Sequence, residues 1–196
     1  MVAASDTTGP TSYPCSGVVA RPALCAGLSF MDAARSDDLR IADLAGWLRG
    51  HLVEHGFMLM PDSVHEPTVG TVPLNDGAPP SWTSTRELRA ARIVATTRER
   101  VTAALRGLLV RPVDDRFLTA AIFAGRVARV TTEHGTAWRP RLQRSDRLSD
   151  VVLACFAADA LDHRNQYDVE LCVCDVCGRI SFDERPTLRT RCLHHE

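Results

Sequence analysis

The sequence predicts an α+β chain, mainly helical with one β-hairpin, followed by a small cysteine-rich C-terminal module. Three observations carry that prediction. Apolar residues recur at helical spacing, or run almost unbroken at helix length, in three stretches. Residues 126–142 alternate instead with a period of two. Four of the seven cysteines lie at or beyond Cys172. A chain of 196 residues suits one medium domain with a small appendage. The expected division is a flexible N-terminal arm over 1–34, a mostly helical domain over 35–165 with its hairpin near 126–142, and the cysteine-rich module over 166–196.

Residues 1–34 are rich in Ser, Thr, Pro, Gly and Ala without a clear period, hence the arm; Cys15 and Cys25 have no partner pair nearby. Ser36 is a candidate N-cap, with Asp37 and Asp38 in a first turn where the helix dipole favours acids. Ile41, Leu44, Ala45, Leu48 and Leu52 then follow at helical spacing to a stop at Gly56. Phe57–Met60 is a candidate buried strand, closed by Pro61, and 61–80 is loop by composition. A capping box, Ser84-x2-Glu87, opens the longest element. Leu88, Ala91, Val94, Val101, Leu105 and Leu108 continue its apolar face toward Pro112. Asp114 and Asp115 precede a short helix over Phe117–Ala124. Arg126–Thr132 and Thr136–Leu142 make the hairpin around Glu133-His134-Gly135. Ser149–Leu161 is almost continuously apolar and long enough for a core helix.

The tail has the clearest motif. Cys174-x2-Cys177-Gly178 and Cys192-x2-His195 are two short clusters separated by fourteen residues. A tetrahedral Zn²⁺ takes four N/S ligands, and a Cys-x2-Cys loop brings two thiolates to one ion from a single tight turn. Gly178 supplies the backbone freedom of that turn. Asp168–Val173, Arg179–Phe182 and Leu188–Arg191 are candidate short strands around the clusters. Over about residues 168–196 this arrangement resembles a zinc ribbon, which implies a structural Zn²⁺ held by Cys174, Cys177, Cys192 and His195. His194 competes with His195, and Cys172 is a surplus thiol whose role is open. With four protein ligands the site is closed and stabilises the fold, since a catalytic zinc keeps one position open. Seven cysteines, with no basic-then-apolar leader pattern and no run of ~20 apolar residues, point to a reducing cytoplasm and no membrane span.

Charge is unevenly spread. Residues 1–83 carry four Arg against nine acids, 84–147 fourteen against six, and 148–196 five against nine, so a +8 middle lies between flanks of −5 and −4. All 23 basic residues are Arg, which excludes Schiff-base and P-loop chemistry. Arg86, Arg89, Arg100 and Arg111 fall on one arc of the long helix. Arg126, Arg129, Trp138, Arg139, Arg141 and Arg144 cluster around the hairpin. Arg pairs bidentately with phosphate and a neighbouring aromatic can stack on a base, so these ten residues are the candidate partner-binding surface. The partner is nucleic acid or an acidic protein; the alternative is that these charges are solvated or neutralise the acidic flanks.

His51-Leu52-Val53-Glu54-His55 is a literal H-x-x-E-H. It resembles the zinc site of inverzincin peptidases, which implies His51 and His55 as metal ligands and Glu54 as general base. Gly56 ends the expected helix at the second histidine, and Glu133, an approximate counterpart of that family's third ligand, falls at the hairpin turn. No nucleophile elbow, Walker A or dinucleotide fingerprint is present. The reading favoured by the sequence is therefore a non-enzymatic regulatory or adaptor protein binding a macromolecule through its Arg-rich middle. A zinc-dependent hydrolase at His51, Glu54 and His55 and a structural subunit of a larger assembly are the alternatives.

Overall fold

The computed structural model describes residues 21–35, 47, 58–59, 68–69, 72–73, 84–133, 135–142 and 146–182. Among them the helices are α1 (Pro22–Ala33), α2 (Ser84–Leu109), α3 (Arg116–Phe123), α4 (Leu148–Asp162) and α5 (Arg164–Glu170). The strands are β1 (Met58–Leu59), β2 (Thr68–Val69), β3 (Val72–Pro73), β4 (Val127–Thr132), β5 (Gly135–Leu142), β6 (Leu171–Val173) and β7 (Ile180–Phe182). The chain is α+β and mainly helical.

The core is organised on α4. Val151, Val152, Ala154, Cys155, Phe156, Ala157, Ala158 and Ala160 are all buried, so this helix is apolar around its whole circumference and is packed from several sides. One side receives α2 through Val94, Val101, Leu105 and Leu108, the face that helical spacing predicts. Ala91, expected on that face, is exposed, and Thr97 is buried there instead. The hairpin packs on another side of α4.

A third side of α4 receives α1, and here the expectation of an arm over 1–34 gives way over Pro22–Ala33, while 1–20 lie outside the described residues. Pro22 sits in the first turn, where its missing N–H costs nothing, and Ala23, Leu24, Ala26, Phe30 and Met31 are buried. Gly27 lets the two helices approach: a Cβ there would lie 2.8 Å from ring atoms of Phe156. Trp47 is helical and buried, its indole N–H donating to the Ala26 carbonyl at 3.0 Å and its ring tilted against Phe30 at 5.2 Å. The rest of the helix expected from Ser36 lies outside the described residues.

A second difference lies at 168–170. These residues belong to α5, not to a strand, because Tyr167 turns inward to the core while Val169 faces solvent. The strand starts at Leu171. The β6–β7 hairpin pairs Leu171 with Phe182, Cys172 with Ser181 and Val173 with Ile180. Leu171, Val173 and Ile180 join the same core cluster as α4, so the first half of the expected module shares the core of the helical part.

In the sheet the order is β1-β5-β4, with β1 parallel to the end of β5 (Met58 opposite Arg141, Leu59 opposite Leu142) and β4–β5 antiparallel. The expected strand over Phe57–Met60 is thus met by β1. Inside the 61–80 stretch expected as loop, β2 and β3 form a small antiparallel pair. Gly125, at φ +64, turns the chain from α3 into β4, a conformation that L side chains rarely adopt.

Candidate functional site

The knuckle at Cys174–Gly178 takes the turn that the spacing predicts. Cys174 N–H donates to the Arg179 carbonyl at 2.9 Å, and Gly178 N–H donates back to the Cys174 carbonyl at 2.8 Å. Gly178 closes the loop at φ +67. Cys174 is buried and Cys177 half-buried, both on the one turn, which is what a pair of ligands to a single ion requires. Among the described residues no three of His, Cys, Asp and Glu converge, so Cys172 does not complete a three-ligand set with this pair. Cys192, His194 and His195 lie outside the described residues.

Alternation accounts for Cys172. Leu171 and Val173 face the common core, whereas Cys172 faces the other way and is still buried, as is Cys174, and neither belongs to the apolar cluster.

An arginine that spacing did not single out reaches the knuckle. Arg106, in the last turns of α2, donates from Nη2 to the Cys174 carbonyl at 3.2 Å and pairs with Asp175 at 3.5 Å. The Cys174 carbonyl therefore accepts both the turn-closing N–H and a guanidinium. The available signal was an Arg directly between buried Leu105 and nearby Leu108, on the flank of the apolar face.

The ten-residue basic surface divides. Arg100 bonds the Ser149 hydroxyl and pairs with Asp150 at 3.6 Å. Arg126 pairs with buried Asp146 and, at 3.5 Å, with Asp150. Both thus converge on the first turn of α4, where a carboxylate also sits well against the helix dipole. Arg111 donates to the Leu108 and Val110 carbonyls of its own helix end. These arginines neutralise acids or helix termini within the fold. Arg86 and Arg89 lie in the first turns of α2; Arg144 lies outside the described residues.

The hairpin separates the remainder. Val127, Arg129 and Thr131 share one face with Pro140, Trp138 and Thr136, while Ala128 and Val130 share the other with Arg139 and Ala137. Arg129 is directly opposite Trp138, and the Thr131 and Thr136 hydroxyls lie 3.3 Å apart beyond them. Trp138 is half-buried against the core, and its backbone N–H donates to Asp162 at 2.9 Å, which ties this strand to the end of α4. Among the described residues, Arg129 and Arg139 make no side-chain ion pair.

A buried polar cluster lies at the other end of α4. Arg21, the residue before α1, donates from Nε to Asp159 at 2.9 Å, from Nη2 to the other oxygen of Asp159, and from Nη1 to Gln166. Burial disfavours the Arg21 charge, but Asp159 outweighs it and raises the guanidinium pKa further. The same guanidinium lies 5.4 Å over the Phe182 ring, which meets Tyr167 edge-on at 4.9 Å. His163 Nδ1 lies 3.3 Å from Asp159. Burial, then the negative charge of Asp159, pushes the Tyr167 hydroxyl well above its usual range. Tyr167 is fully buried and these side chains are satisfied by one another, so the cluster ties α1, α4, α5 and β7 together.

His51, Glu54 and His55 lie outside the described residues. Glu133 is exposed at the hairpin turn. Among the described residues no helix is long and apolar enough to cross a membrane. Comparison of the chain with protein-family models, curated proteins and solved structures gives no match.

Proposed function

We propose that this chain is a non-enzymatic regulatory or adaptor protein of the reducing cytoplasm, which binds an anionic macromolecule through its β4–β5 hairpin and keeps its tail folded with a structural Zn²⁺. The observation that carries the binding reading is the contrast among arginines. Arg100, Arg106 and Arg126 answer acids of the chain itself, whereas Arg129 and Arg139, on opposite faces of the hairpin, meet no acid among the described residues, and Trp138 lies opposite the first. A solvated guanidinium next to a half-buried indole suits an acidic protein surface or a phosphate backbone. The proposed interface is narrower than the whole Arg-rich stretch.

Cys174 and Cys177, with Cys192 and His195, would hold the zinc. The turn geometry at Cys174–Gly178 fits the first two ligands. A four-ligand zinc contributes binding energy as folding energy and leaves no position for a substrate.

The test is titration of the full chain against duplex and single-stranded nucleic acid over a range of salt. A phosphate-binding surface gives a log–log slope near −0.9 per contact on duplex DNA, reduced by about one contact in Arg129→Ala. A flat response removes nucleic acid and leaves an acidic protein as the partner. Metal content per chain, one equivalent in the wild type and none in a Cys174→Ser/Cys177→Ser double variant, tests the zinc separately.

The structural-subunit alternative draws on Phe123, 87 % exposed at the end of α3 beside partly exposed Ile122. It predicts a stable oligomer by light scattering that Phe123→Ser disperses.

A further inference from the structure

Resting on the reading that Cys174-x2-Cys177 holds a metal, we infer that Arg106 is a positioning residue for that site, setting its affinity from a different element of the fold. The turn that carries Cys174 and Cys177 is closed by the Cys174 carbonyl, which receives the Gly178 N–H at 2.8 Å. Arg106 Nη2 donates to that same carbonyl at 3.2 Å, so α2 holds the turn closed from outside the tail. Two thiolates on one turn bring negative charge to the site, and a guanidinium at the backbone of one of them offsets part of it. Groups that orient the ligands of a metal site commonly change its affinity by ten- to a hundredfold.

Two further features favour this role over a surface ion pair. Arg106 Nε is buried although the side chain as a whole is 43 % exposed, so the base of the guanidinium is packed in and not freely solvated. The Asp175 carboxylate, at 3.5 Å, is 62 % exposed, so water screens that pair heavily, and the carbonyl bond is the more consequential contact.

The experiment compares Zn²⁺ affinity of the full chain with its variants by chelator competition, alongside Co²⁺ absorption spectra. Arg106→Gln is expected to bind Zn²⁺ about tenfold more weakly and to alter the thiolate-to-Co²⁺ bands. Arg106→Lys, which keeps the charge and one donor, recovers part of that loss. Asp175→Asn leaves affinity unchanged or raises it. An Arg106→Gln variant with wild-type affinity overturns the inference, as does an Asp175→Asn variant that loses as much as Arg106→Gln. If Arg106→Gln does not fold, Arg106→Lys decides alone: weaker binding than wild type supports the role and equal binding overturns it. A wild-type chain that takes up no metal refutes the metal reading itself, and this inference with it.

Discussion

Arg21 and Asp159, 138 residues apart in sequence, meet in a two-pronged ion pair with the carboxylate almost fully buried. The pair joins the start of α1 to the centre of the fold, and Gln166 and Phe182 complete the setting of the guanidinium. Desolvating two such charges is costly, so the net worth of the intact pair is modest, whereas leaving one charge without its partner is expensive. Arg21→Ala and Asp159→Ala are each expected to destabilise the protein by about 3–5 kcal/mol, and the double variant by less than the sum. Urea unfolding of the four proteins measures this. Additive losses would mean that the two side chains act independently.

The interior also fixes the alkaline limit. Burial holds the Cys155 thiol up at about 12, from an ordinary 9.0, and Tyr167 well above 10.0. Both groups stay protonated in the folded chain at pH values where the unfolded chain releases the proton. Their contribution is therefore whole below pH 9 and declines as pH rises, first through the thiol and then, above pH 10, through both. The expected slope reaches about 1.4 kcal/mol per pH unit for each group. Cys155→Ala should flatten the first part of the decline, at the expense of a small cavity. Stability measured from pH 7 to 11 decides it.

Gly27 and Phe156 set the distance between α1 and α4. Alanine is the better helix former by about 1 kcal/mol, but its Cβ would lie 2.8 Å from a ring that is itself fully enclosed. Overpacking is therefore expected to win, with Gly27→Ala less stable by about 1–3 kcal/mol. Adding Phe156→Leu should recover part of that loss, because the smaller side chain vacates the contact. Calorimetry of the two singles and the double reads the coupling.

What could be read from the sequence divides along a physical line. The α2 face, the hairpin and the knuckle turn are encoded by local spacing: Val94, Val101, Leu105 and Leu108 by the helical period, Arg126–Leu142 by alternation, Cys174–Gly178 by the turn chemistry. The α1 helix escaped because the residues opposite its buried face, Cys25, Leu28, Ser29 and Ala33, are small or apolar and make no strong polar stripe; Pro22 at its start was the remaining signal. Val169, Leu171 and Val173 imitate a strand, yet Tyr167 draws the first of them into α5. The charge pairs were out of reach for a different reason. That Arg126 meets Asp146 and Asp150, or Arg106 the Cys174 carbonyl, depends on how distant elements pack, and composition reports only that one region is basic and its neighbours acidic.

Gly178 gives the knuckle a separate test. At φ +67 a Cβ meets no atom of the described residues within 4 Å, so among them substitution is opposed by backbone strain and not by packing. Gly178→Ala is expected to cost about 1–2 kcal/mol, and Gly178→Asn less, since Asn tolerates the left-handed region. If the turn carries a metal, the same order should appear in Zn²⁺ affinity. A variant series in which stability changes and metal affinity does not would separate the turn from the ion.

The division of the arginines makes the last prediction, through a pair of substitutions that composition would treat alike. Arg126 answers Asp146, which is buried, and shares Asp150 with Arg100. Arg126→Ala takes a charged donor away from the buried Asp146 carboxylate and is expected to cost about 1.5–3 kcal/mol. Arg129, three residues on, is exposed and makes no ion pair among the described residues, so Arg129→Ala should leave stability within about 0.5 kcal/mol. If the hairpin is the binding surface, the effects invert for the partner: Arg129→Ala weakens binding in a well-folded protein, and Trp138→Ala does so at some expense to packing. Thermal unfolding and partner titration of the same variants give both readouts. An Arg129→Ala protein with unchanged partner binding would move the interface away from the β4–β5 hairpin.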